Sequence, residues 1–169
     1  GTTAEELLKL AAEELEKATP ATAAQREVHF ELEDTIANLL ADLGLNEEAG
    51  RMWSDLARDL ELRAPDAHLA EVLVNRGVSV NLVGRAEEAR ADFERALAIL
   101  DGVGDRTSVL RGWALYNLGQ YHWGATAPKE GREEELFRSA IAVLAPHGPS
   151  HQLANAHYGL GRVLESRSE

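Results

Sequence analysis

A chain of 169 residues, 44% of them hydrophobic, is the size of one ordinary domain and is too apolar to remain disordered. Seventeen basic against twenty-nine acidic residues leave a net charge of −12, which repels phosphate backbones and anionic lipid headgroups and so argues against nucleic acid and membrane surfaces as partners. The absence of cysteine removes disulfide and thiolate chemistry and suits a cytoplasmic protein.

Ala, Leu, Glu and Arg dominate and only 5% of residues are aromatic, so the composition favours an all-α fold. The five prolines, at positions 20, 65, 128, 146 and 149, all fall between apolar-periodic stretches, where they punctuate helices. No run approaches eighteen apolar residues, and the first residues lack the basic and apolar regions of a signal peptide. The chain opens on Gly1 and stops in a polar helix, which leads us to expect a piece of something larger.

In chain order, the spacing predicts helices at 4–18, 23–43, 47–63, 67–83, 86–100, 107–123, 131–145 and 151–167. Thr3 with Glu6 and Thr22 with Gln25 match the capping box, while Asn46, Asp66, Thr107 and Ser150 are expected N-caps. Gly44, Gly84 and Gly102 are expected to close helices. The first helix carries an amphipathic face of Leu7, Leu8, Ala11 and Leu15 and reads as the second helix of a truncated pair. In the middle of the chain Leu73, Gly77 and Val80 share one face, and Ala89, Phe93, Ala96, Leu97 and Leu100 share another. The last helix reads as a cap or as the start of a continuing array, and its Leu160, Val163 and Leu164 need cover on one side.

The helices repeat. LGLNEEAGRMWSDLARDL from Leu43 returns as VGRAEEARADFERALAIL from Val83, a shift of 40 that maps Gly44 on Gly84, Ala49 on Ala89, Trp53 on Phe93 and Leu60 on Leu100. A second series places Ala37, Gly77, Gly119 and Gly161 at successive shifts of 40, 42 and 42. Phe93 and Leu100 recur at Phe137 and Leu144 with a shift of 44, and an insertion in the ATAPKEG turn (125–131) absorbs the difference. Small residues mark where two helices approach closely, so Gly77 and Gly119 are expected between the helices of a pair, with Trp53, Phe93 and Phe137 filling the space between pairs.

The spacing of Leu73, Gly77, Ala89, Phe93 and Ala96 resembles the tetratricopeptide repeat in full. Ala37, Ala49 and Trp53 match its middle, with Leu56 in place of the last small residue. Leu115, Gly119, Phe137 and Ala140 match it with Glu133 in place of the alanine, and His157, Leu160 and Gly161 begin a further repeat. The resemblance covers about 30 to 165, and its period of 40 to 44 is similar to the longer-helix variants of kinesin light chains and large bacterial regulators. It implies one α-solenoid domain over 1–169, with a leading helix 4–18, repeats at about 23–63, 67–100 and 107–145, and a capping helix 151–167.

Such a solenoid presents the first helix of each pair on its concave side. The expected groove residues are Glu71, Val74, Asn75, Val78 and Asn81, then Trp113, Tyr116, Asn117, Gln120 and Trp123, then Asn155, Tyr158, Arg162 and Glu165. Aromatics supply contact area and amides satisfy a peptide backbone. Long-period members of the family hold an extended peptide by asparagines at the position of Asn75 and Asn117. The alternative is that these amides bond neighbouring helix carbonyls and the aromatics pack on the adjacent repeat.

Other chemistry lacks support. His122, His147, His151 and His157 have no HExxH, cysteine or carboxylate at ligand spacing, so no metal is expected. GVGDRT (102–107) lacks the lysine of a phosphate loop, GxSxG is missing, and the glutamates at 47–48, 87–88 and 133–135 open second helices, where they complement the helix dipole. The reading is a non-enzymatic scaffold without cofactor that binds a protein or peptide, with the acidic charge favouring a basic one. The parent is expected to be a bacterial regulatory or signalling protein, and alanine richness with 14 arginines against 3 lysines fits a GC-rich genome. The rival readings are self-association, as a homo-oligomer, or docking on a parent's catalytic or DNA-binding domain. A helical enzyme with its site in the groove is a third.

Overall fold

The computed structural model describes residues 3–124 and 131–168. They form eight α-helices: α1 (Ala4–Lys17), α2 (Ala23–Asp42), α3 (Asn46–Leu60), α4 (Ala67–Leu82), α5 (Ala86–Gly102), α6 (Val109–Gly124), α7 (Arg132–Leu144) and α8 (His151–Ser166), with a 3-10 turn Ala145–His147 before the last. No strand occurs among the described residues. The insertion expected at 125–131 lies, except for Gly131, outside the described residues.

Local chemistry sets most of the boundaries. Thr3 Oγ1 accepts from the Glu6 amide at 3.2 Å while Glu6 Oε2 accepts from the Thr3 amide at 2.9 Å. Thr22 and Gln25 repeat this exchange, at 3.2 and 3.1 Å. Asp66 and Ser150 cap α4 and α8 through the amides of Leu69 and Leu153. Gly44 and Gly84 follow α2 and α4 with φ of +79° and +87°, the left-handed turn that closes a helix.

Three expected boundaries shift. Asn46 is the first residue of α3 and does not cap it; its Nδ2 donates to Gly44 O at 3.2 Å and its Oδ1 accepts from Ser79 Oγ of α4 at 3.3 Å. Ser108 takes the role given to Thr107, because its Oγ accepts from the Arg111 amide at 3.1 Å. The α5 helix runs through Gly102, and Gly104, at φ +78°, makes the turn.

Each helix packs on the next, and α4 with α5 and α6 with α7 make the most extensive pairs. Alternate helices also touch along one side, α2 with α4, α4 with α6 and α6 with α8, whereas α3, α5 and α7 approach one another less. The side carrying α2, α4, α6 and α8 is therefore the inside of the curve.

Glycines set the closest approaches. A Cβ on Gly77 would lie 2.6 Å from Phe93 Cε1, and one on Gly119 2.9 Å from Phe137 Cε1. Phe137 is shared with α8, where Gly159 offers the same absence at 2.7 Å, so one ring fills the space between two pairs. Gly112, which the repeat pattern does not single out, lets Leu144 pack into the space its missing Cβ would take. Gly161 keeps its register with Gly119, but its missing Cβ faces open space and the close contact falls on Gly159. No helix among the described residues covers the side of α8 that Gly161 faces.

The leading helix also differs in detail. The α1 residues that meet the core are Leu8, Ala12 and Leu15, at i, i+4 and i+7, while Leu7 is exposed and Ala11 points to solvent.

Polar groups enter the core as pairs. Trp53 Nε1 donates to Asp34 Oδ1 at 2.8 Å, which satisfies an indole that Phe93 replaces without cost in the next pair. Arg76 holds Asp92 in a two-pronged ion pair between α4 and α5, with Nε to Oδ2 at 2.8 Å. Burial pushes the Asp92 carboxyl up against the pull of Arg76.

Glu133, at the position of the repeat's alanine, is buried and its Oε1 accepts from Arg167, the C-cap of α8, at 2.8 Å, so it does more than complement a dipole. Arg167→Ala is expected to cost about 1 kcal/mol in urea unfolding, because it leaves Glu133 buried without its donor. The double variant with Glu133→Ala is expected to recover that loss, since both partners are then apolar.

Candidate partner-binding groove

The groove begins between α2, α4 and α6, where a cleft of about 230 Å³ is lined by Asn38 and Asp42 of α2, Asn75 and Val78 of α4 and Trp113 of α6. Asn75 is half-buried in this cleft, and its amide has no hydrogen-bond partner among the described residues. Asn117, one repeat on, is engaged differently: its Nδ2 donates to Trp113 O of its own helix at 2.8 Å, leaving Oδ1 to accept. The sequence equates the two asparagines, and the structure gives them different hydrogen-bonding states.

Trp113 lies stacked on Tyr116, with ring centroids 4.9 Å apart and planes within 11°. Tyr116 leans in turn on Phe137 at 5.9 Å, and its hydroxyl accepts from Gln120 Nε2 at 3.0 Å. Burial raises the pKa of that phenol, so it stays neutral and keeps a hydrogen to donate. Tyr116 is therefore anchored in the core, leaving the indole of Trp113 as the aromatic face toward the cleft.

A second cluster stands further along. The Arg162 guanidinium lies 5.5 Å from the ring centre of Trp123 and 5.9 Å from that of Tyr158, bridging α6 and α8. Tyr158 is largely exposed. Asn155 spends its amide locally, with Nδ2 3.3 Å from His151 Nδ1. Glu71 and Asn81 are exposed, Val78 is half-buried against the core, and Glu165 is exposed on α8.

Val74 does not belong to the groove. It is completely buried, because α4 is flanked on both sides by neighbouring pairs and carries two apolar faces instead of one. Asn38 and Asp42 were missed, although the shift of 40 that equates Ala37 with Gly77 also carries Asn38 onto Val78.

Residues 68–130 match the family model for the tetratricopeptide repeat. Over that segment the chain is similar to the tetratricopeptide repeat. The matched segment spans α4, α5 and α6, the part of the chain where the tetratricopeptide spacing of Leu73, Gly77, Ala89, Phe93 and Ala96 is complete. A comparison with curated proteins finds no match. Tetratricopeptide repeats generally mediate protein–protein contacts and are typically non-catalytic. No helix among the described residues is long and apolar enough to cross a membrane.

Proposed function

We propose that this chain is a peptide-binding scaffold whose partner lies extended along α2, α4, α6 and α8. The observation that carries the reading is Asn75, a half-buried amide with no partner, set in a cleft beside the Trp113 indole. A half-buried amide loses hydration that an incoming peptide backbone restores with one donor and one acceptor. Trp113 supplies flat apolar area next to it, and Trp123, Tyr158 and Arg162 supply a second contact zone further along. The net charge of −12, with Asp42 in the cleft and Glu71 nearby, favours a basic peptide. In this reading the repeats run about 23–63, 67–100 and 107–145 between a leading and a closing helix, within a larger cytoplasmic regulatory protein.

The test is affinity capture from a native lysate with the wild-type chain and an Asn75→Ala/Asn117→Ala variant as baits. Loss of two backbone contacts is expected to weaken the captured partner about thirtyfold in a follow-up titration, with helicity unchanged by circular dichroism. Loss of helicity would instead give the asparagines a structural role.

A specific observation favours a second reading, self-association or docking on a parent domain. Leu164 of α8 and Leu7 and Leu10 of α1 are exposed at opposite ends of the array. A sizing column separates the readings: a concentration-independent monomer fits the groove, and a concentration-dependent dimer fits the ends.

A further inference from the structure

Away from the groove, α1, α2 and α3 enclose a cleft of about 440 Å³ at the connector before α2. Its apolar wall is Ala18, Pro20 and Phe30. Opposite stand four carboxylates from three helices, Glu16, Glu33, Asp55 and Asp59.

Glu16, Glu33 and Asp59 have no arginine or lysine partner among the described residues, and Glu33 differs from the other two in being buried. Asp55 is engaged with Arg58, and Arg26 lies exposed at the rim. Glu33 is the telling group. It is 8% exposed, its Oε1 lies 3.3 Å from His29 Nε2, and its Oε2 is buried with no hydrogen-bond partner.

A buried carboxylate oxygen without a donor is costly, and either a proton or a donor from outside relieves it. A metal ion fits poorly, since no three His, Asp or Glu groups among the described residues stand close enough together to hold one. A cation that brings its own N–H donors and an apolar stem fits both walls of the cleft.

We propose that this cleft binds a primary alkylammonium group, as carried by a lysine side chain or a polyamine, with Glu33 and Asp59 as acceptors and Ala18 and Pro20 against the stem, the Phe30 ring behind them being 5% exposed and covered by the Arg63 guanidinium at 4.6 Å. The site is independent of the peptide groove: it lies on other helices and uses none of the groove's residues. Burial, reinforced by Asp59, Asp55 and Glu16, raises the Glu33 carboxyl to about 7, so an arriving cation displaces its proton to solvent near neutral pH.

The test is an amide-resolved NMR titration of the whole chain at pH 7 with n-butylammonium chloride, set against tetramethylammonium chloride at equal ionic strength. Saturable shifts are expected at 16–20, 29–33 and 55–59, with the quaternary cation about tenfold weaker because it has no N–H to donate. Glu33→Gln and Asp59→Asn, each with its dispersed spectrum retained, are expected to weaken butylammonium about tenfold. Spermidine and Nα-acetyl-lysine methylamide as further probes at equal ionic strength separate the two sources, the tighter one showing which the cleft fits better. Equal binding of primary and quaternary cations overturns the proposal, as does an unchanged affinity in Glu33→Gln, which would make Glu33 a neutral buried acid and nothing more.

Discussion

Gly77→Leu is expected to lower the thermal midpoint by about 10 °C. The expectation begins with one atom: a Cβ at Gly77 would lie 2.6 Å from Phe93 Cε1, 3.0 Å from Cζ and 3.1 Å from Cδ1. Phe93 is 2% exposed, so its ring has no solvent-filled space to move into. Leucine adds three more carbons beyond that Cβ, and overpacking of this kind costs about 1–3 kcal/mol or more. For a chain of this size each kcal/mol shifts the midpoint by about 2–4 °C, so a cost of about 3 kcal/mol, expected for three carbons against a ring that cannot move, gives the figure above.

Gly161→Leu is the control, because a Cβ there meets nothing within 4 Å and leucine is the better helix former. Its midpoint should stay put or rise slightly. The clash should also be relieved from the other side, so Phe93→Ala is expected to harm the Gly77→Leu chain less than it harms the wild type. Equal melting of wild type and Gly77→Leu would mean that α4 and α5 do not meet at this glycine.

That contact was legible from sequence because it is written twice, as a small residue and as a ring sixteen positions later, at Gly77 and Phe93 and again, with two residues inserted, at Gly119 and Phe137. The capping boxes were legible because both partners lie within three residues. Gly159 was not, since the periodic series points to Gly161, and which of the two meets Phe137 depends on the rotation of α8 against the preceding pair. Val74 was misassigned for a similar reason: a helical wheel drawn around one apolar stripe sends the opposite face outward, but a helix inside an array is covered on two sides.

The groove was legible only as a set of positions. That Asn75 is unpartnered while Asn117 donates to Trp113 O depends on side-chain torsions that equal spacing does not determine. Glu33 left no trace at all. It is one of four acidic residues between Glu27 and Asp34, and its burial comes from α1 and α3 closing over α2, a long-range event with no local signature.

Glu33 should make this protein less stable in alkali than in mild acid. Its carboxyl is raised from 4.5 to about 7, chiefly by burial and then by the charges of Asp59, Asp55 and Glu16. A group whose folded pKa is raised contributes stability that is full below its unfolded value, here 4.5, and is lost as pH rises through about 7. The whole interval corresponds to about 3 kcal/mol, at roughly 1.4 kcal/mol for each pH unit between the two values. Asp92, raised by its own burial, adds a term of the same sign, so the wild-type curve alone does not isolate Glu33. The comparison that does is Glu33→Gln, which keeps the shape of the side chain, cannot ionise, and turns amide hydrogens toward the carboxylates that crowd it. Urea unfolding at pH 5, 6, 7 and 8 should show the variant gaining on the wild type with each step. By pH 8 it should lead by about 2.5 kcal/mol beyond any difference at pH 5. A constant gap across the series would mean that Glu33 stays ionised throughout, with His29 at 3.3 Å as its effective partner.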